Sequence, residues 1–185
     1  FPSHTSRLRR SNSDGVVSDL SGYEVSELTT LLFAGTDTTS STISWLMCEV
    51  KVEDQEVVRR TEGKGRVRDA MIKESSRLHP AAPFVVRVVP EGAILGDERD
   101  GLRVKARGGV TAVCWINAAN RDERVYGRDA GEWRWRRWLE DGNLGGVETM
   151  QFGGGGRKCL GQGVAKRVVR RLFERITEEK RWGKV

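Results

Sequence analysis

The sequence predicts a mainly α-helical fold with a small β-sheet, and three observations lead to this prediction. Apolar residues recur at spacings near three and four over residues 28–47, which is the pattern of one long helix. A second helix is predicted over residues 67–78 and ends at His79 and Pro80, because proline cannot continue a helix. Residues 84–89 and 110–116 are rich in β-branched and aromatic side chains, which predicts two short strands.

A chain of 185 residues is long enough for one domain, and its apolar fraction of 37% predicts a thin core. Residues 1–20 are polar and without helical period, which is typical of a linker or a disordered terminus. We therefore predict the domain over residues 21–185. The first residue is Phe1 rather than methionine, and on this ground we expect an incomplete chain.

Charge and cysteine content indicate which kinds of partner and which cellular compartment are expected. The net charge of +6 suits nucleic acid, an acidic lipid surface or an acidic protein, without choosing among them. Three widely spaced cysteines do not form a disulfide framework and favour a reducing compartment. The sequence contains no apolar run of about 18 residues, so we expect any membrane anchor to lie outside it.

The remaining segments show weaker patterns. Residues 51–66 are charged and end in a glycine-flanked lysine at 63–65, which predicts a frayed helix end and a turn. Residues 117–150 show no clear period and are predicted to be a meandering loop. A glycine-rich loop over 152–161 precedes a basic amphipathic helix with a predicted apolar stripe of Val164, Val168, Leu172 and Ile176.

Cys159 lies between the glycine-rich loop and the start of the final helix, directly after Arg157 and Lys158. Cationic neighbours and the N-terminus of a helix both stabilise a thiolate, which is the form that ligates metals. Most free cysteines are small buried hydrophobic residues, and the local features alone leave that alternative open.

The loop resembles the haem-ligand loop of the cytochromes P450, with Phe152, Gly155, Arg157, Cys159 and Gly161 in register. The resemblance implies that Cys159 is the metal ligand, an axial thiolate on the iron of haem b. It also implies that Arg157 contacts a haem propionate, which suits a guanidinium facing a carboxylate. Phe152 and Gly161 belong to the same implied cofactor-binding set.

Glu74 and Arg77 match the ExxR signature of the same family, and their spacing places them on one helix face. Without the other motifs, such a pair would be an ordinary exposed ion pair. The resemblance implies a buried structural network of these two residues with an arginine from the meander loop. Arg137 is the arginine at the matching position in this sequence.

Two further segments resemble family motifs. Gly35, Asp37 and Thr38 match the oxygen-activation motif of the long central helix, which implies that Asp37 and Thr38 relay protons to bound dioxygen. Without the other motifs, they would be a polar stripe on an exposed helix. Arg87, on the first predicted strand, matches the arginine that reaches the second haem propionate in the family.

The sequence departs from the family pattern in three respects. Glu74 follows Asp37 by only 37 positions, so the helix expected between these motifs is predicted to be largely lost. The meander lacks the family's proline and glutamate and has Trp135 and Arg136 in that region. The resemblance covers residues 21–176, the later part of a family domain, so a partial fold and weak or no stable haem binding in isolation are expected.

The resemblance implies a haem-thiolate monooxygenase that inserts one oxygen atom from O₂ into a small organic substrate. Electrons would come from NADPH through a reductase partner. The resemblance also implies a role for this monooxygenase in secondary metabolism. For a eukaryotic parent protein, the resemblance implies the cytosolic face of the endoplasmic reticulum membrane.

Two alternatives remain open at this point. The chain could be an inactive remnant or regulatory decoy that does not hold haem stably. Nucleic-acid binding is the weaker alternative and is not our expectation, since it depends only on basic residues interleaved with Trp133, Trp135 and Trp138, without a recognised binding fold.

Overall fold

The structure is a computed structural model that describes residues 9–11, 17–19, 21–61, 64–96, 101, 103–140 and 149–178. Its helices are α1 (Gly22–Glu49), α2 (Val52–Arg60), α3 (Lys64–Leu78), α4 (Ile116–Ala119), α5 (Glu123–Tyr126) and α6 (Gln162–Glu178). Its strands pair antiparallel: β1 (Arg9–Ser11) with β2 (Val17–Asp19), β3 (Val85–Val88) with β6 (Thr111–Cys114), and β4 (Ile94–Leu95) with β5 (Val104–Lys105). The predicted mainly helical architecture with small sheets is confirmed.

The long helix α1 is capped at its start and internally bonded along its polar stretch. Ser21 Oγ accepts a hydrogen bond from Glu24 N at 3.2 Å, and Glu24 Oε2 accepts one from Ser21 N at 2.9 Å. Further along, Thr38 Oγ1 donates to Ala34 O at 2.7 Å, and five other Ser and Thr hydroxyls of α1 make the same bond to the fourth preceding carbonyl. Because these hydroxyls are satisfied locally, the helix continues through its serine- and threonine-rich stretch.

The charged segment after α1 forms a separate nine-residue helix, so the prediction of a frayed helix end was wrong. Val50 is extended at φ −72° and ψ 112°, which ends α1. At the start of α2, Asp54 Oδ2 accepts a hydrogen bond from Lys51 N at 3.2 Å. A helix therefore persists between the oxygen-activation and ExxR motifs, although it is short.

The ExxR helix α3 begins at Lys64, three residues before its predicted start. Lys64 and Gly65 are thus helical, and the predicted turn at 63–65 was wrong for these two residues. Glycine costs about 1 kcal/mol in a helix interior, but this cost weighs less in a first turn that frays.

His79 connects the C-terminal end of α3 to that of α1. Its Nε2 lies 2.6 Å from Glu49 Oε1, and its ring stacks on Trp45 with centroids 4.1 Å apart and an interplanar angle of 4°. Pro80 follows directly and ends the helix. The chain then leaves α3 toward β3.

The predicted strands are confirmed with shorter bounds. β3 pairs with β6 so that Val85 faces Cys114 and Val88 faces Thr111. Ile116, the predicted end of the second strand, instead opens α4. The predicted meandering loop also contains α5 and a 3₁₀ turn at Trp135–Trp138, which we call the meander turn. One-turn helices are too short to show a helical period in the sequence.

The core lies where α1, α2, α3 and α6 meet, and the buried face of α6 differs from the predicted stripe by one residue. Val169, Phe173 and Thr177 are buried, whereas Val164 and Leu172 are 66% and 43% exposed. Both sets repeat every four residues, so periodicity alone does not distinguish them. The bulky Phe173 occupies the core, and this selects the buried face.

Residues 1–20 were predicted to be a linker or disordered. The paired strands β1 and β2 lie within this segment, and its other residues lie outside the described residues. Among the described helices, a search for apolar spans of bilayer length finds none.

Candidate functional site

The loop that leads to Cys159 is folded back on itself by two 3₁₀ turns and one closing hydrogen bond. The turns are Met150–Phe152 and Gly155–Arg157. Gly153 and Gly155 adopt positive φ values of 67° and 63°, which only glycine reaches without strain. Cys159 N donates to Phe152 O at 2.9 Å and closes the loop immediately before α6.

The Cys159 side chain is a free thiol on the surface of this loop. The alternative of a buried structural cysteine was therefore wrong. A Cβ built on Gly161 would lie 4.0 Å from Cys159 Sγ, so glycine keeps that side of the sulfur open. Arg157 is also exposed, and Phe152 is half-buried with Lys166 Nζ 5.4 Å from the centre of its ring.

Replacing Gly155 with alanine is expected to lower the free energy of unfolding by about 1 to 2 kcal/mol, because an L-residue is strained at positive φ. Gly156 is the matched control, since its φ is not positive and an added Cβ would meet nothing within 4 Å. Urea denaturation of the two alanine variants measures the difference. Equal stabilities would contradict the loop conformation described above.

Glu74 and Arg77 form a fully buried ion pair on α3, where both side chains are 0% exposed. Arg77 Nε donates to Glu74 Oε2 at 2.9 Å, and Arg77 Nη2 donates to Glu74 Oε1 at 2.8 Å. This bidentate geometry is the strong form of the interaction. Arg77 also donates to the carbonyl of Asn120 at 2.7 Å and to that of Ala130, which connects α3 to the segment that follows α4.

The meander turn adds two further donors to the same carboxylate, and Arg134, which directly precedes the turn, adds a third. Arg137 Nε and Arg134 N reach Glu74 Oε1 at 3.1 and 3.0 Å, and Trp138 Nε1 reaches Glu74 Oε2 at 2.9 Å. Arg137 itself is buried and donates to Tyr126 O at 2.7 Å. The structure thus brings together all three residues of the predicted network.

Two acidic groups beside this network have perturbed pKa values. Burial raises the pKa of the Tyr126 hydroxyl, and the Arg77 guanidinium, whose carbon lies 4.9 Å from the ring centre, opposes the increase. The side-chain hydrogen bond from Arg134 holds the pKa of the Asp129 carboxyl below its usual range, and Arg137 acts in the same direction. The network therefore combines desolvation with compensating charge.

Asp37, Thr38 and Arg87 are exposed. Thr38 is bonded to its own helix, and Arg87 Nη1 donates to Val86 O at 2.8 Å on its own strand. A Cβ at Gly35 would meet nothing within 4 Å, so the surface of α1 is open before Asp37. Within the described chain, no hydrogen bond or ion pair joins these three residues to the loop.

Sequence reasoning missed Asp54, which is buried and accepts hydrogen bonds from two tryptophans. Trp135 Nε1 lies 2.7 Å from Asp54 Oδ1, and Trp133 Nε1 lies 3.1 Å from Asp54 Oδ2. No local signal reveals this contact, because about 80 residues separate the partners. Trp133, Trp135 and Trp138 all donate their indole N–H groups to internal carboxylates, so these groups are already bonded within the fold.

Comparison with known sequences supports the resemblance. The family model for cytochrome P450 matches residues 66–181. The cytochrome P450 monooxygenase cicH of Emericella nidulans is 35% identical over 113 residues, which are 58% of this chain and 22% of that protein. Cytochrome P450 52A5 of Candida maltosa is 29% identical over 179 residues, which are 83% of this chain and 34% of that protein. The chain thus spans well under half of each relative.

A solved structure shows the same fold. The crystal structure of CYP109E1 from Bacillus megaterium in complex with corticosterone matches with a TM-score of 0.63 at 23% identity. The match covers 90% of this chain and 41% of that one. Because the family model covers more than half of its residues, this chain belongs to the cytochrome P450 family.

Proposed function

We propose that this chain is the thiolate-bearing part of a haem monooxygenase that inserts one oxygen atom from O₂ into a small organic substrate. The observation that supports this proposal most strongly is the exposed Cys159 thiol on a glycine loop closed at the start of α6. We further propose that electrons come from NADPH through a reductase, and that a eukaryotic parent protein lies at the cytosolic face of the endoplasmic reticulum.

The side chains present suit haem b. Cys159 offers a thiolate to the iron, and the glycine at position 161 leaves space beside the sulfur. Arg157 and Arg87 are exposed guanidinium groups that can each bind a propionate. When bound, haem supplies the reductive activation of O₂, which side chains alone do not provide.

Asp37 and Thr38 are proposed to deliver the protons that the activation of dioxygen consumes. The Thr38 hydroxyl proton is held by Ala34 O at 2.7 Å, so its oxygen is open only as an acceptor. To donate this proton, Thr38 must first release Ala34 O, and after the transfer its oxygen must take a replacement proton. The exposed Asp37, which precedes Thr38 in the sequence, is proposed to take up a proton from solvent and to pass it on through water.

A second candidate function is an inactive remnant or regulatory decoy, and the exposed apolar side chains favour it. Leu32, Phe33 and Leu160 are 69%, 74% and 91% exposed. Exposed apolar surface promotes association of the chain with itself. A remnant would unfold without cooperativity and aggregate, which circular dichroism melting and gel filtration measure.

Haem titration followed by the carbon-monoxide difference spectrum of the reduced protein tests the main proposal. We expect a thiolate-type band in the unmodified chain and in Cys48→Ala, and its loss in Cys159→Ala. Cys48 is the matched control because it is also an exposed free cysteine. Absence of the band from both the unmodified chain and Cys48→Ala would favour the remnant, and a band that survives in Cys159→Ala would exclude Cys159 as the ligand.

A further inference from the structure

Asp54 forms an anchor between α2 and the residues just before and within the meander turn. Its side chain is 7% exposed, and Trp135, which is 3% exposed, donates to one carboxylate oxygen. The other oxygen accepts from Trp133 and from Lys51 N at the start of α2. An indole N–H can only donate a hydrogen bond, so Trp133 and Trp135 each need an acceptor at this place, and Asp54 supplies it.

The anchor holds the same turn that supplies the donors to Glu74. Trp135 is the first residue of the meander turn, and Arg137 and Trp138 of that turn both reach the Glu74 carboxylate. Among the described residues, no hydrogen bond or ion pair joins Asp54 to Glu74 or Arg137. It therefore influences the buried network only by fixing where the turn lies.

The network is in turn connected to the Cys159 loop. α3, which bears Glu74, packs against the meander turn and also against the 3₁₀ turn Met150–Phe152. The carbonyl of Phe152 accepts the hydrogen bond from Cys159 N that closes the loop. Contacts thus run without a gap from Asp54 through the meander turn and α3 to the thiol loop.

In this sequence the anchor lies at the place where the family pattern is broken. Trp135 and Arg136 occupy the region where a proline and a glutamate are expected, and proline would have restricted the backbone there. Trp135 instead gains its fixed position from a side-chain bond to Asp54. A change in the turn sequence is thereby matched by a specific acceptor on α2.

We propose that Asp54 is a positioning residue for the haem-ligand loop, acting through Trp133, Trp135 and Arg137. The inference rests on the proposed function in that the loop is taken to bind haem. It goes beyond that function by giving a role to a residue outside the motifs that match the family.

The test uses the full chain with Asp54→Ala and, as matched control, Glu53→Ala, which changes the adjacent exposed carboxylate of α2. Indole N–H resonances of ¹⁵N-labelled protein report the anchor directly. We expect the chemical shifts of two indole N–H resonances to change in Asp54→Ala and to be unchanged in Glu53→Ala. The variants Trp133→Phe and Trp135→Phe assign these two resonances. Haem titration, made where every variant is at least nine-tenths folded, should show a roughly tenfold weaker affinity for Asp54→Ala only.

A double-mutant cycle separates positioning from simple stabilisation. No hydrogen bond or ion pair joins Asp54 to Arg137 among the described residues, so independent effects on the unfolding equilibrium constant would multiply. For the double variant that combines Asp54→Ala with the milder Arg137→Lys, we expect an effect on the unfolding equilibrium constant that differs by more than about twofold from the product of the two single effects. Asp54→Glu should restore part of the haem affinity.

The outcomes distinguish the inference from the proposed function. Unchanged indole resonances, or independent effects in the cycle, would overturn the positioning role whether or not haem binds. Haem binding that is equal in Asp54→Ala and the unmodified chain would also overturn it. Absence of haem binding in the unmodified chain would instead refute the proposed function, and the cycle would still decide whether Asp54 positions the turn.

Discussion

Replacing Glu74 with glutamine is expected to lower the free energy of unfolding by about 3 to 5 kcal/mol. The carboxylate is fully buried and is the only anion in contact with both Arg77 and the Nε of Arg137 among the described residues. Glutamine has nearly the same shape but no charge, so it would leave two buried guanidinium groups poorly compensated. Such a loss is a large share of the 5 to 15 kcal/mol that typically stabilises a domain. Urea denaturation followed by circular dichroism measures it.

Glu56→Gln is the matched control for this prediction. Glu56 also pairs with two arginines, Arg59 and Arg60, but its side chain is 43% exposed. Exposed pairs of this spacing contribute only about 0.2 to 0.5 kcal/mol. Comparable losses in Glu56→Gln and Glu74→Gln would contradict the buried network.

Replacing Phe173 with alanine is expected to cost about 3 to 5 kcal/mol. The side chain is 0% exposed and lies in the core cluster with Leu46, Met71 and Trp135. Its removal leaves a cavity between α6 and the helices that it packs against, and a close-packed interior fills such a cavity only in part. Thermal or urea unfolding of the variant gives the change in free energy.

Leu172→Ala is the control, because Leu172 directly precedes Phe173 in the same helix and is 43% exposed. We expect a change within about 0.5 to 1 kcal/mol for this partly exposed position. The comparison also tests which face of α6 is buried, since the apolar stripe predicted from periodicity contained Leu172 and not Phe173. A larger loss for Leu172→Ala would support the predicted stripe against the structure.

The features that were predictable from the sequence are those with a local signal. The presence of one long helix, the stop of α3 before Pro80 and the start of α6 after Cys159 each follow from a spacing or a helix breaker within a few residues. The pairing of β3 with β6 was also accessible, since both strands show β-branched runs. In the same way, Glu74 and Arg77 were recognisable because they are three residues apart.

The features that were missed depend on contacts between distant segments. The helix α2 has a strongly polar sequence, and its packing against α3 and α6 determines that it is a separate element. Asp54 acquires its role from two tryptophans about 80 residues away. Likewise, the buried face of α6 is decided by which of two equally spaced stripes fits the core. Tertiary packing, and not local preference, sets all three.

The contact of His79 with α1 has a consequence for how parts of this chain can move. Stacking on Trp45 and the bond to Glu49 join the exit of α3 to the end of α1. Strand β3 begins six residues after His79, so Arg87 follows displacements of α1 through a short connection. A displacement of the C-terminal end of α1 would therefore carry the exit of α3 with it, and with that exit the start of the connection to β3.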